Sequence, residues 1–181
     1  MDKALQRLVD KDEIRDLMAR YARGVDRADW DVGVRSTYHD DAYDDHGDYK
    51  GGVDGFIAFG KDRLGDIPQA VHFLGQSLIE FASDTVAVVE TYFCTMHTLG
   101  PEAKIKYGAA DRDGPVQLSH IGRYVDRVEK RKGEWRIAHR TCVFEATRVC
   151  LDDVPPIKDD WAHHHRSPDD PIFQARRDAG L

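Results

Sequence analysis

Apolar positions near the start of the chain recur at helical spacing and predict an amphipathic helix. They line one face of it, at Ile14, Leu17, Met18, Tyr21 and Val25. Asp10 and Glu13 have the spacing of a capping box, so we expect this helix to begin near them. A second, shorter helix is predicted after Asp29, and a third over residues 53–64.

From about residue 70 the pattern changes to short-period alternation of β-branched, aromatic and polar residues. This predicts four antiparallel strands, over residues 70–81, 85–99, 116–130 and 134–146, and a short strand near 42–45. Residues 100–115, with three glycines and two prolines, predict a long surface loop. Helices followed by strands indicate an α+β fold in which helices cover one face of a curved, mainly antiparallel sheet and enclose a pocket.

Length and composition narrow the class of protein. The 181 residues suit one domain, predicted over 1–150, with a tail over 151–181 that packs on the domain or on a neighbouring subunit. With 26 basic and 33 acidic residues the net charge is −7, which disfavours nucleic-acid and anionic-membrane partners. Three cysteines without CxxC spacing, and no apolar membrane or signal segment, predict a cytoplasmic protein with reduced thiols.

Asp26 and His72 are the first candidates for chemistry. Asp26 follows the apolar face of the first helix, and His72 lies between apolar residues of a predicted strand. A buried carboxylate needs a partner, since an unpaired one costs several kcal/mol. An imidazole held by that carboxylate could take or give a proton near neutral pH. The alternative is that each residue is separately structural.

Three further side chains are candidates for the same cavity. His97 ends a predicted strand and shares its parity with Phe93. His46 lies in a polar segment, where it either closes the pocket mouth and orients a substrate or is simply solvated. Arg140 has the parity of Phe144 on the last predicted strand, so its guanidinium could hold a developing anion or form a structural ion pair.

Metal and nucleotide chemistry have little support. Consecutive histidines such as His163–His165 rarely converge on one ion, and His72, His97 and His139 would form a three-histidine site only if the strands brought them together. The chain contains no GxGxxG, P-loop, GxSxG or HExxH motif. We therefore expect no metal and no cofactor.

Four segments together resemble a known family: IRDLMARYARGVDRADWD, DDAYDDHGDYKGG, AVHFLG and RYVDRVEKRKGEWRIAHR. They span about residues 8–146 and are similar to SnoaL-like members of the nuclear transport factor 2-like (NTF2-like) superfamily. Within it the motifs most resemble the scytalone dehydratases and lindane dehydrochlorinases, and the lyases that release formaldehyde from lignin dimers look similar in type. The resemblance implies a cone-shaped α+β fold.

The resemblance also implies a cofactor-independent lyase acting on a small hydrophobic, aromatic substrate. Asp26 and His72 match the family's Asp–His pair, and His97 and Arg140 fall where relatives carry a second pocket histidine and a pocket arginine. Substrate contacts are expected from Tyr21, His46, Phe93 and Phe144. Val25 and the segment near His46 stand where the dehydratase pattern has two water-positioning tyrosines, so that pair is absent.

Two other functions use the same fold. A proton-shuttling isomerase or cyclase, of the ketosteroid isomerase or polyketide cyclase type, could use the same Asp–His pair, and a small-molecule binding module would not need it. The sequence defines neither the substrate nor the leaving group, which could be water, halide or formaldehyde. Relatives commonly assemble through the open face of the sheet, so we expect a homo-oligomer, a trimer before a dimer.

Overall fold

The structure, a computed structural model, describes residues 2–150 and 157–181. These residues form four α-helices and six strands. The helices are α1 (Lys3–Asp26), α2 (Val53–Arg63), α3 (Pro101–Lys106) and α4 (Pro171–Asp178). The strands are β1 (Tyr38–Asp45), β2 (Lys50–Gly52), β3 (Gln69–Phe81), β4 (Val86–Thr98), β5 (Gln117–Arg131) and β6 (Glu134–Cys150).

All six strands belong to one sheet in the order β2-β1-β6-β5-β4-β3. Every neighbouring pair is antiparallel except β1 and β6, which are parallel. The register shifts in β3 between Leu74 and Ser77 and twice along the β5–β6 pair. Such irregularities bend and twist strands, so the sheet curves around the helices. The predicted α+β class and the four long strands are confirmed.

The core lies between α1 and the concave face of the sheet. The predicted apolar face of α1 is buried throughout, since none of its five residues is more than 3% exposed. These side chains join one cluster with inward residues of the sheet, including Phe93, Tyr124 and Ile137. Burial of this face positions the end of α1, and therefore Asp26, above the sheet.

The predicted start of the first helix is wrong. The helix begins at Lys3, and the Asp2 side chain accepts a hydrogen bond from the backbone of the second helical residue. Asp10 is instead buried within the helix, where it accepts hydrogen bonds from Trp135 Nε1 (3.0 Å) and Lys130 Nζ (2.9 Å). Burial acts to raise the pKa of Asp10, but these bonds outweigh it and hold the pKa below its ordinary value.

Other elements also differ from the predictions. The segment after Asp29 forms a π-helical turn (Trp30–Val34) and a short 3-10 turn, with no side-chain cap from Asp29. It packs closely on α1, because a Cβ on Gly24 would lie 2.9 Å from the backbone nitrogen of Val34. The first strand starts earlier than predicted, at Tyr38, because it pairs with β6. The predicted loop over 100–115 contains α3, with Pro101 in its first turn.

The described part of the C-terminal segment lies against the end of α1 and the start of β3. His164 Nε2 donates to the carbonyl of Pro68 (3.1 Å), and Asp170 pairs with Arg27 (3.2 Å). Arg166 approaches the backbone carbonyl of Asp26 at 3.5 Å. The division into a domain and a tail stays a prediction, and residues 151–156 lie outside the described residues. Within the described ranges, no helix has the length and apolar character needed to cross a bilayer.

Candidate active site

A pocket opens between the helices and the concave face of the sheet. Its empty volume, mouth included, is about 550 Å³. Apolar atoms make up most of its surface. The lining residues that bring polar groups are four histidines, two tyrosines, Thr95 and Arg63. Small-molecule sites commonly combine an apolar wall with a few convergent polar groups, so this pocket is the candidate active site.

Asp26 holds His72 at the edge of this pocket through two hydrogen bonds. The Oδ1 atom accepts from His72 Nδ1 at 2.6 Å, and Oδ2 accepts from the His72 backbone N–H at 3.0 Å. Because a carboxylate only accepts, the facing Nδ1 must carry a proton, and in the neutral form of the ring the lone pair therefore lies on Nε2. That Nε2 has no hydrogen-bond partner among the described residues, and His72 lines the pocket.

Local structure explains how the pair forms. Asp26 is the last residue of α1, and the chain turns two residues later at Ala28, whose φ is +54°. His72 lies on β3, the edge strand of the sheet. Its backbone N–H therefore has no neighbouring strand on its open side and is free to bind the carboxylate. The side chains of both residues are at least nine-tenths buried, so water competes little for these bonds.

Two neutral imidazoles stand next to His72 on the sheet. The ring of His97 lies 5.7 Å from that of His72, and the ring of His120 lies 6.2 Å from that of His97. Burial, reinforced by nearby positive charge, lowers the pKa of His97 to about 2 and that of His120 to about 4. The Nε2 atoms of both are buried without a partner in the described structure. A bound hydroxyl or water would satisfy them.

His46 also lines the pocket, but it follows β1, which is separated from β3 by three strands of the sheet. Its Nδ1 donates to Asp44 Oδ1 at 3.0 Å, and its ring packs 5.1 Å from that of Phe56. The other three residues expected to contact substrate, Tyr21, Phe93 and Phe144, line the same pocket. Phe93 stacks at 4.4 Å on Tyr124, a residue that the sequence did not single out.

The position of Arg140 differs from the one expected for a pocket residue. It does not line the pocket but lies behind it, fully buried, between the rings of Tyr21 and Tyr124, each 4.1 Å from the guanidinium. Its Nε and Nη2 donate to the two oxygens of Asp126 at 2.7 and 2.6 Å. Burial alone would lower the pKa of Arg140, but the charge of Asp126 raises it well above its ordinary value. Arg140 therefore forms the structural ion pair and is not positioned to hold a leaving group.

The possible metal arrangements do not form in the described parts of the chain. His139 stacks on Tyr43 (5.2 Å between ring centres), away from His72 and His97. His163 and His164 bind the carbonyls of Lys158 and Pro68 respectively, so the three tail histidines do not converge. No group of three or more His, Cys, Asp or Glu side chains with metal-binding geometry occurs among the residues that the structure describes.

Sequence reasoning missed several lining residues. His120 is the most important, and its signal was strand parity, because it shares the inward face of β5 with Leu118 and Tyr124. Arg63 and Trp30 come from α2 and the π-helical turn, where no motif marked them. Trp30 fits against α2 because Gly60 has no Cβ, which would lie 2.5 Å from its ring.

The chain belongs to the SnoaL-like domain family, whose profile matches residues 6–141. No curated protein matches the chain. Solved structures share its NTF2-like fold at low identity, so they establish the fold and not the activity.

Three of these structures show the range of relatives. A candidate scytalone dehydratase from Novosphingobium aromaticivorans DSM 12444 is 18% identical, with a TM-score of 0.67 over 84% of this chain and 93% of that one. Hexachlorocyclohexane dehydrochlorinase LinA-type3 from Novosphingobium barchaimii LL02 is 18% identical, with a TM-score of 0.70 over 85% and 100%. A Mycobacterium tuberculosis protein of unknown function is 22% identical, with a TM-score of 0.62 over 80% and 77%.

Proposed function

We propose that this protein is a cofactor-independent lyase that eliminates a small leaving group from a hydrophobic, aromatic substrate. The observation that carries the proposal is the imidazole of His72, fixed by Asp26 through Nδ1, with its Nε2 directed to an apolar pocket. An imidazole held in one tautomer by a carboxylate is suited to general base catalysis.

In the proposed reaction His72 Nε2 takes a proton from a carbon or hydroxyl of the substrate. The electron pair left behind forms the new double bond, and the bond to the leaving group breaks. Asp26 stabilises the imidazolium that forms, as its two hydrogen bonds already fix the ring. General base catalysis contributes typically about 10²–10⁴-fold, and positioning in the pocket must supply the rest.

The pocket wall supports an aromatic substrate that carries an uncharged oxygen. Phe93, Tyr124 and Phe56 provide ring faces and edges, which favour stacking with another ring. His97 and His120 offer two buried Nε2 atoms without partners. A hydroxyl both donates and accepts, so it suits neutral imidazoles whose charged forms burial disfavours.

An isomerase or cyclase remains the second candidate, because the same His72 could return its proton to another atom of the substrate. The experiment that separates the two is product analysis. Purified protein is incubated with lignin-derived and halogenated aromatic compounds, and release of water, halide or formaldehyde is followed by mass spectrometry. We expect elimination products from the wild type and none above background from His72→Ala.

A matched control is His139→Ala, which removes a histidine of the same sheet outside the pocket. It should keep full activity. Isomerised substrate without any released group would favour the second candidate, and equal activity in His72→Ala and the wild type would refute the proposed base. Binding without turnover would favour a non-catalytic module.

We also propose that the chain forms a homo-oligomer, a trimer before a dimer, through the outer face of the sheet. Large apolar side chains are exposed there on neighbouring strands: Phe73, Leu78, Val88, Tyr92, Met96 and Ile121. Several large apolar side chains exposed on one face of a sheet commonly mark an interface. Light scattering of the purified protein tests the proposal, and a monomer at micromolar concentration would contradict it.

A further inference from the structure

The pocket contains a second Asp–His pair, Asp44 and His46, that repeats the arrangement of Asp26 and His72. The side chain of Asp44 is fully buried, and its Oδ1 accepts from His46 Nδ1 at 3.0 Å. Its Oδ2 accepts from the hydroxyl of Tyr38 at 2.7 Å. As in the first pair, Nδ1 must carry the proton, and His46 Nε2 has no partner among the residues that the structure describes.

Both pairs border the same pocket. His46 follows β1, and His72 lies on β3, so β6, β5 and β4 separate them in the sheet. Because the sheet curves, both imidazoles line one cavity, and the strand order puts Tyr124 of β5 and Phe93 of β4, whose rings stack at 4.4 Å, between them. A substrate over these rings can therefore contact an imidazole at each end.

Specific contacts hold both Asp44 and His46 in place. Arg140 Nη1 approaches the Tyr38 oxygen at 3.4 Å, which directs the hydroxyl proton of Tyr38 towards Asp44. The ring of His46 is enclosed by Phe56, Tyr124 and Phe144, with centroid distances of 5.1 to 6.2 Å. A solvated loop histidine needs neither a buried carboxylate nor aromatic walls, since burying that carboxylate is costly.

We propose that His46, held by Asp44, is the general acid of the elimination, opposite His72 as the general base. The inference rests on the proposed function. In the reacting state His46 is protonated on both nitrogens, and Asp44 compensates the charge. His72 takes the substrate proton, the bond from carbon to the leaving oxygen breaks with its electron pair, and Nε2–H of His46 protonates that oxygen. After product release, His72 loses its extra proton to water, and His46 takes up a proton from water.

This assignment favours one class of substrate. Hydroxide or alkoxide is a poor leaving group without a proton, whereas halide leaves without one. A pocket with a base and an acid at opposite ends therefore suits an aromatic compound that loses water or an alcohol rather than one that loses halide.

The first test needs no substrate. Nitrogen-15 NMR of histidine-labelled protein reports the tautomer of each ring, assigned with His46→Gln. We expect neutral His46 in the Nδ1–H form. In Asp44→Asn the carboxamide oxygen stays with the Tyr38 hydroxyl and the amide NH₂ faces Nδ1, so the His46 tautomer should switch to Nε2–H. An Nε2–H form in the wild type, or no change in Asp44→Asn, would overturn the inference whatever the activity.

The second test compares two substrates with one skeleton, one losing hydroxyl and the other chloride. In His46→Gln we expect kcat for hydroxyl loss to fall about 10²-fold or more, and kcat for chloride loss to change less than about threefold. Equal losses for both would show that His46 only positions the substrate and would overturn the inference. His139→Gln is the matched control. Elimination surviving in His72→Ala would instead refute the proposed base, independently of His46.

Discussion

The Asp126–Arg140 and Asp26–His72 pairs each join a buried carboxylate to a basic side chain of the sheet. They differ in whether the basic side chain keeps a polar atom available to a ligand. Asp126 and Arg140 satisfy each other through two hydrogen bonds, and two tyrosine rings cover the guanidinium. Asp26 also binds His72 twice, but one of its two bonds goes to the backbone. The second imidazole nitrogen remains available to the pocket.

The difference shows that burial and pairing alone do not identify a catalytic group. Arg140 is more deeply buried than His72 and has stronger partners, and for that reason it has no free donor for a substrate. A pair that is complete in itself supports the fold. A pair that leaves one polar atom in a cavity can act on a ligand.

The largest effect on stability is expected from breaking the buried Asp126–Arg140 ion pair. Asp126→Asn leaves the Arg140 guanidinium without a compensating charge, and we expect the free energy of unfolding to fall by about 3–5 kcal/mol. Urea denaturation followed by circular dichroism measures this. The double variant Asp126→Leu/Arg140→Met removes both charges and should lose much less. If the double variant were as unstable as the single one, lost packing rather than an unpaired charge would be the cause.

The pH dependence of stability tests the two buried histidines of the pocket, His97 and His120. His97 and His120 have folded-state pKa values of about 2 and about 4, below the ordinary 6.5. Below pH 6.5 the unfolded chain therefore binds protons that the folded chain does not, and stability falls as pH falls. Together they contribute a slope of up to about 2.7 kcal/mol per pH unit between pH 6 and 4.5.

Denaturation curves of the wild type and of His97→Gln/His120→Gln over this pH range measure that contribution. The double variant should have the shallower slope, because glutamine does not titrate. Equal slopes would mean that these imidazoles take up protons in the folded state.

A smaller effect is expected at Asp10, another buried carboxylate, which does not line the pocket. Asp10→Ala leaves Trp135 Nε1 without its acceptor, so we expect a loss of about 1–3 kcal/mol in stability and no change in activity. Glu13→Ala is the matched control, since Glu13 also accepts from Lys130 but is half exposed and should lose less than about 0.5 kcal/mol. Reduced activity in Asp10→Ala at full stability would contradict its structural role.

The fold was predictable where the sequence is periodic. The apolar face of α1 and the four long strands follow from spacing, because one face of each element is buried. The start of α1 was not predictable, since Asp10 is buried by Trp135, which is distant in sequence. The start of β1 was also missed, because exposed Asp40 and Asp41 hide its alternation.

The candidate site was partly predictable for similar reasons. Asp26 and His72 were found through a motif and through the need of a buried carboxylate for a partner. Arg140 was placed in the pocket from parity, but parity gives the face of a strand and not the depth along it. Asp44 and His46 are two residues apart, which puts both on one side of an extended chain. The spacing is visible in the sequence, but the burial of Asp44 and its hydrogen bond from Tyr38 are not.

The most direct test of the central claim is the activity of Asp26→Asn on the substrate found by the product screen. The substitution keeps the size of the side chain but removes the charge that holds and stabilises the His72 imidazolium. We predict that kcat falls about 10²–10⁴-fold while the His139→Ala control keeps its rate. A kcat within threefold of the wild type, in a variant with unchanged circular dichroism, would contradict the account.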